Sequence, residues 1–261
     1  MNLNNQFKPT MEVGTLAVVV SPTRDQMGKE AAIAVSRKIR EIQKEKETVN
    51  MVFASAPSQN EFLFYLRQEE DIDWSRINAF HMDEYIGLDS SAPQNFANFL
   101  QERLFDFVPV GNFYRINGNA ADIQEEIVRY SNLLAENPVD IICMGIGENC
   151  HIAFNDPHVA DFNDPEVVKI VALDETSRIQ QVNDGCFDSL DAVPTHALTL
   201  TIPTLVAPPH LYCIVPGPLK ARAVKNTLEA DITPEYPSTI LREHPDAALF
   251  VDTDSASLLE V

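Results

Sequence analysis

The chain has 261 residues, 45% of them hydrophobic, enough for one large α/β domain and short for two, so residues 1–261 read as one domain. Nineteen basic residues against 39 acidic ones give a formal charge of −20, which argues against a nucleic-acid groove or an anionic membrane surface as partner, since either needs clustered Lys and Arg. The four cysteines lack C-x-x-C spacing, no apolar run approaches the roughly eighteen residues that span a bilayer, and Met1-Asn-Leu-Asn-Asn-Gln-Phe-Lys-Pro9 lacks a signal peptide's apolar centre, so a reducing, cytoplasmic setting is expected.

Strand and helix patterns alternate almost from the start, which predicts a Rossmann-like α/β fold, a mostly parallel sheet with helices on both faces. Leu16 to Val20 is the first predicted strand. Residues 24–46 form a helix, charged on one side and turning Met27, Ala31, Ile33, Val35, Ile39 and Ile42 to the core. Asn50 to Ser55 reads as a buried strand, and Ser58-Gln-Asn-Glu61 fits a capping box ahead of an apolar helix, Phe62 to Leu66. Next come a strand from Ile77 to Met82, a helix over 94–105, a short strand from Phe113 to Ile116 and an amphipathic helix over 121–136. Val139 to Met144 is a further buried strand. Strands near 168–172, 197–202 and 211–215, helices over 218–229 and 238–243, and a last strand from Ala247 to Val251 complete the pattern.

Two strand ends carry the chemistry. Residues 145–157, Gly145-Ile-Gly-Glu-Asn-Cys-His151-Ile-Ala-Phe-Asn-Asp156-Pro157, put a histidine, an amide and a carboxylate on a glycine-led turn at the carboxyl end of a strand, where open α/β sheets place their ligand crevice. Phe80-His-Met-Asp83-Glu84-Tyr85-Ile-Gly87 ends another strand in adjacent carboxylates, so Asp83 and His151 are expected to face one cavity. Gly145-Ile-Gly147 lacks the third glycine of a dinucleotide fingerprint, because Cys150 occupies that position, so no nicotinamide cofactor is expected. His81, His196 and His210, in apolar strand-like context, read as core or crevice residues. There is no His-x-x-x-His pair and no His/Cys cluster, so no metal site is expected.

These two segments resemble the glucosamine-6-phosphate deaminase (isomerase) family, whose pattern is a Met/Leu-Asp-Glu-Tyr strand end followed later by Gly-x-Gly-x-(Asp/Asn)-Gly-His-Ile-x-Phe-Asn-Glu-Pro. The resemblance continues through Asn117-Gly-Asn119, Val193-Pro-x-x-Ala197-Leu-Thr199, Gly217-Pro-Leu-Lys220-Ala221 and Tyr236-Pro-Ser-Thr-Ile-Leu-Arg-Glu-His244, and is weakest at the N-terminus. It implies an aldose–ketose isomerising deaminase that converts an amino-sugar phosphate, glucosamine 6-phosphate, and water to fructose 6-phosphate and ammonia, with neither metal nor organic cofactor. It implies ring opening by His151 assisted by Asn149 and Asp156, and removal of the C2 proton by Asp83. The residue types suit the tasks. An imidazole exchanges protons near neutral pH, and a carboxylate at a buried strand end can be held close to carbon and away from water. The resemblance implies phosphate binding by Lys220, and the helix start at Ser58, Gln59 and Asn60 is expected to bind an anion on physical grounds, through free amides, the Ser58 hydroxyl and a positive helix end.

Several positions depart from the family. Asn149 stands where many members have Asp, and Asp156 replaces Glu, one methylene shorter. Cys150 replaces a glycine and is strained if φ there is positive. Ser55-Ala-Pro57-Ser58-Gln59-Asn60 replaces a Gly-Gly-Thr-Pro loop. A further family arginine has no counterpart in Val182-Asn-Asp-Gly-Cys-Phe187, and Arg178 is the nearest substitute. Two alternatives therefore stay open: a non-catalytic sugar-phosphate-binding module or an enzyme for an altered amino sugar, and a 6-phosphogluconolactonase, whose usual loop resembles Gly-x-Gly-x-Asp-Gly-His-Thr-Ala-Ser-Leu-Phe. The expected partner is a small-molecule amino-sugar phosphate, with no nucleic acid and no membrane. Family members differ in oligomeric state, so a homo-oligomer is left open.

Overall fold

The strands are apolar on both sides, which demands cover on both faces of the sheet. The computed structural model describes residues 10–260, and the reading of Met1 to Pro9 lies outside the described residues. The short β1 (Met11–Val13) leads to β2 (Leu16–Ser21), in which Leu16 and Val18 enter one core and Val19 the other. In α1 (Arg24–Gln43) the Thr23 hydroxyl accepts from the Gln26 N–H at 3.2 Å, and Met27, Ala31, Val35 and Ile39 pack on the second core. Then follow β3 (Val49–Phe53), α2 (Asn60–Leu66), β4 (Ile77–His81), β5 (Asp83–Tyr85), α3 (Phe96–Leu100), β6 (Asn112–Tyr114), α4 (Ile123–Glu136) and β7 (Ile141–Met144). The remaining elements are β8 (Val168–Ala172), α5 (Glu175–Asn183), β9 (His196–Leu200), α6 (Ile202–Val206), β10 (His210–Val215), α7 (Ala221–Glu229) and β11 (Ala247–Asp252).

Eight strands form one sheet in the order β1-β2-β11-β10-β7-β3-β4-β6, parallel except at the antiparallel β1–β2 edge. Residues of α1 and α2 cover one face; Tyr130 and Leu134 of α4 with Val224 and Leu228 of α7 cover the other. The Rossmann-like arrangement is as expected. The sequence pattern did not foresee β1, α5, α6 or a second, antiparallel sheet of β5, β9 and β8.

That second sheet begins where a single strand through Met82 was expected. His81 is fully buried, its Nε2 accepts the Ile116 N–H at 2.8 Å, and the Tyr130 hydroxyl bonds both its N–H and its carbonyl. Burial pushes its imidazole down to about 3, as fits a core residue. Beyond this anchor the chain turns at Met82, whose carbonyl accepts from the Leu200 N–H, and Asp83 pairs with Thr199 of β9. Glu84 points away from the crevice: its carboxylate accepts the N–H groups of Tyr85, Phe96 and Ala97 and so opens α3. His210 is half-buried against Asp246 at 2.6 Å, whereas His196 is exposed beside Thr195, at the end of β9, so its expected core or crevice place is corrected.

Candidate active site

Loops leaving the carboxyl ends of β10, β7, β3 and β4, neighbours in the sheet in that order, converge on one crevice of about 520 Å³. The β3 loop brings Ser55, Ser58 and Gln59 to it, β4 brings Asp83, β7 brings His151, and β10 brings Lys220. Gln180 and Gln181 of α5 add a further wall. Asp83 and His151, 68 positions apart by numbering (151 − 83), thus share one cavity as expected.

The β7 loop is built around the imidazole. A Cβ on Gly147 would lie 2.1–2.3 Å from three atoms of the His151 ring, so only glycine lets the ring sit there. Cys150 (φ 71°) and Ala153 (φ 49°) are left-handed, which meets the expectation of strain where Cys150 replaces a glycine. Buried Asn155 ties the loop to the small sheet, donating to the Leu200 carbonyl at 2.8 Å, while the Phe154 N–H donates to the Thr199 hydroxyl at 3.1 Å.

Three oxygens surround His151 Nδ1: Asn149 Oδ1 at 2.7 Å, Ser177 Oγ at 2.9 Å and Asp156 Oδ1 at 3.0 Å. Asn149 Nδ2 donates to Asp156 Oδ1 at 3.0 Å, and Ser177 gives its only hydroxyl proton to the same oxygen. Every oxygen at Nδ1 is therefore an acceptor. Nδ1 accordingly carries a ring proton, and in the neutral imidazole the lone pair lies on Nε2, which is unbonded among the described residues. Burial opposes the charge on Asp156, but the bond and charge of His151, with donors from Ser177 and Asn149, hold its carboxyl well below the ordinary range. The shorter Asp thus reaches the imidazole, and it supplies the charge that Asn149 lacks.

Asp83 is 7% exposed, and burial, then repulsion from Glu84, pushes its carboxyl well above the ordinary value. Lys220 is equally buried at 7%, follows Gly217 at the end of β10, and is held below its usual range by burial.

The helix start after β3 differs from expectation. No capping box forms: Ser58 Oγ accepts from Gln59 Nε2 at 3.1 Å, and Glu61 pairs with Arg24 at 2.8 Å. Pro57 instead initiates a 3₁₀ turn in which the Gln59 N–H bonds to Ala56 O and the Asn60 N–H to Pro57 O, so neither amide is free for an anion. The Asn60 side chain lies outside the crevice, with its Oδ1 toward Arg103 at 3.4 Å. Arg178 is also absent from the lining, because it follows Ser177 on α5 and is turned about 100° round the helix; its guanidinium donates to the Leu190 and Val193 carbonyls. Ser177, Gln180 and Gln181 were missed. Asp174, which caps α5 by accepting from the N–H groups of Thr176 and Ser177, was the available signal.

A crevice across the strand ends of a parallel sheet, with a buried carboxyl, an imidazole backed by a carboxylate and a buried ammonium, is equipped for acid–base chemistry on a small anionic ligand. A model of the family described as glucosamine-6-phosphate isomerases/6-phosphogluconolactonase matches residues 22–250. The glucosamine-6-phosphate deaminase of Bacillus cereus (strain B4264) is 37% identical over 229 residues, covering 88% of this chain and 85% of the relative. A monomeric glucosamine-6-phosphate deaminase of known structure superposes with a TM-score of 0.84 at 30% identity, over 95% of this chain and all of that one. The 6-phosphogluconolactonase of Plasmodium vivax, at 16% identity, shares the fold with a TM-score of 0.79 over 99% of this chain and 98% of its own. The chain belongs to the glucosamine-6-phosphate isomerase/6-phosphogluconolactonase family.

Proposed function

We propose that this protein is an aldose–ketose isomerising deaminase that converts glucosamine 6-phosphate and water to fructose 6-phosphate and ammonia. The observation that carries the reading is the buried carboxyl of Asp83 facing the same crevice as His151, whose Nε2 has no protein partner among the described residues. His151 Nε2 takes the O1 proton of the cyclic sugar and returns one to O5, opening the ring, while Asp156 and Asn149 hold the imidazole. Asp83 then removes the C2 proton, the ammonium group gives up one proton, and protons are delivered to O1 and C1, leaving a C1 hydroxymethyl group and a C2 iminium. Water adds to C2 and ammonia leaves. The raised basicity of Asp83 suits abstraction from carbon, since a base stronger than an ordinary carboxylate is better matched to a weak acid. Lys220 receives the phosphate. No helix among the described residues is long and apolar enough to cross a membrane, and all four cysteines are unpaired, which supports a cytoplasmic setting.

The test is ammonia release across glucosamine, galactosamine and mannosamine 6-phosphates. Turnover of the glucosamine ester is expected. Hydrolysis of 6-phosphogluconolactone with no ammonia from any amino sugar would refute the assignment.

A further inference from the structure

Three polar groups on largely buried residues line the crevice without a protein partner. The Lys220 ammonium, the Ser55 hydroxyl and the Gln181 amide belong to residues only 7%, 6% and 8% exposed, and none makes a side-chain hydrogen bond or ion pair among the described residues. The Ser55 hydroxyl is cut off from solvent and unpaired, which is costly, and the other two keep their polar ends free in the same cavity, so their convergence marks where a polar ligand would be received.

The course of α5 says which part of the ligand Gln181 meets. At its start Ser177 touches His151 and Asp156; just past its end Asp184, with Glu148, is charge-coupled to Lys220. Gln180 is already engaged at both ends, its Oε1 accepting the Glu148 N–H at 2.9 Å and its Nε2 donating to Asp184 Oδ2 at 3.5 Å. Gln181 lies one turn beyond Ser177 on the same face and lines the crevice with His151 and Lys220. Of the other expected anion donors, Arg178 is turned away and the amides of Gln59 and Asn60 are spent within their own turn, which leaves the Ser58 hydroxyl at the crevice. Resting on the amino-sugar phosphate reading above, we propose that Gln181 donates its side-chain amide to the phosphate ester, completing with Lys220 a subsite that has a neutral donor where a second cation would otherwise stand.

Calorimetric titration with acyclic 2-amino-2-deoxyhexitol 6-phosphate and its unphosphorylated counterpart isolates the ester's contribution. Q181A is expected to weaken the phosphorylated ligand about tenfold, equivalent to about 1.4 kcal/mol, and the unphosphorylated one less than about twofold. In turnover the loss appears as a higher KM with kcat retained. Q181L, which removes an unpartnered polar group from a buried position, is expected to melt no lower than wild type without ligand yet to show the same selective loss. Equal losses on both ligands, or none on either, overturn the proposal, as does a wild type that binds the two hexitols equally well. Wild type that binds the phosphorylated hexitol but releases no ammonia refutes the deaminase reading alone and leaves the role of Gln181 measurable.

Discussion

Replacing Gly147 by Ala tests whether the placement of the His151 imidazole is what the loop exists to provide. The backbone at Gly147 is not left-handed, so the added methyl acts through space alone. It would lie 2.1–2.3 Å from three ring atoms, and carbon contacts settle at about 3.5 Å, so the ring must retreat by roughly 1.2–1.4 Å. Bonds of 2.7, 2.9 and 3.0 Å to Asn149, Ser177 and Asp156 cannot all survive that shift. A displacement of about 1 Å costs on the order of a hundredfold in rate, or about 2.7 kcal/mol in the barrier. The assay is kcat/KM for ammonia release, with the affinity of an acyclic amino-hexitol phosphate as control, since that ligand needs no ring opening. The expected result is a large loss in turnover with a much smaller loss in that affinity. A variant within about threefold of wild type in kcat/KM would refute the reasoning, because the ring's position would then not matter.

Asp83→Asn should abolish ammonia release, by at least the 10²–10⁴-fold of about 3–5 kcal/mol that a general base supplies, while sugar-phosphate binding persists. Because burial raises the Asp83 carboxyl, the active ionised form accumulates only above the ordinary carboxylate range, so wild-type kcat/KM should fall on the acid side at a pH distinctly above 4; a fall near 4 would contradict this. The sign for stability is opposite: the protonated form favours folding, so stability is lost as pH rises through the raised value, and the Asn variant should gain on wild type as pH rises. Ser177→Ala removes a donor from a carboxylate that is 0% exposed, worth about 1.5–3 kcal/mol for a charged partner, and should lower kcat/KM tenfold or more with recovery in Ser177→Thr. Since Asp156 is held low, its stabilising contribution is present above the ordinary carboxylate range and lost as pH falls, so the Ala variant should begin acid unfolding at higher pH, and unchanged acid unfolding would count against the bond. At Cys150, φ 71° reverses the usual order of small residues: Cys150→Gly should be more stable than Cys150→Ala by about 1 kcal/mol in chemical denaturation, and the opposite order would show that no strain is stored there.

The strands and the glycine-led turn were legible because their signals are local. Apolar runs such as Ile141 to Met144 and Leu211 to Val215 have no polar interruption, and they fix which loops emerge at the crevice. α5 was not legible for the opposite reason. Its inner stripe is Ser177, Gln180 and Gln181, polar because it covers the ligand site rather than the core, so hydrophobic periodicity is blind to it. The division of Ile77 to Tyr85 between two sheets was hidden too, since no glycine or proline marks the break at Met82 and the anchors, Tyr130 on His81 and Phe96 on Glu84, are distant in sequence. Arg178 was misplaced by one helical position, which on α5 is enough to move a guanidinium from the crevice to the carbonyls of Leu190 and Val193.

The shortened acid and the strained cysteine, which looked in the sequence like two separate departures from the family, belong to one structural solution. For Asp156 to meet an imidazole five residues earlier, the chain between them must fold back on itself, and it does so with Cys150 and Ala153 left-handed and an isolated bridge between Ile152 and Asn155. Tight reversal brings Asp156 Oδ1 within 3.0 Å of both His151 Nδ1 and Asn149 Nδ2, so the reach that a longer side chain would provide comes here from the backbone. Ser177 then fixes the carboxylate from the opposite side, from a helix whose own inner face is given over to the ligand. Side-chain length at 156 is therefore a poor guide to activity, whereas the pair of left-handed residues and the hydroxyl at 177 determine whether the imidazole is held with its base toward the sugar.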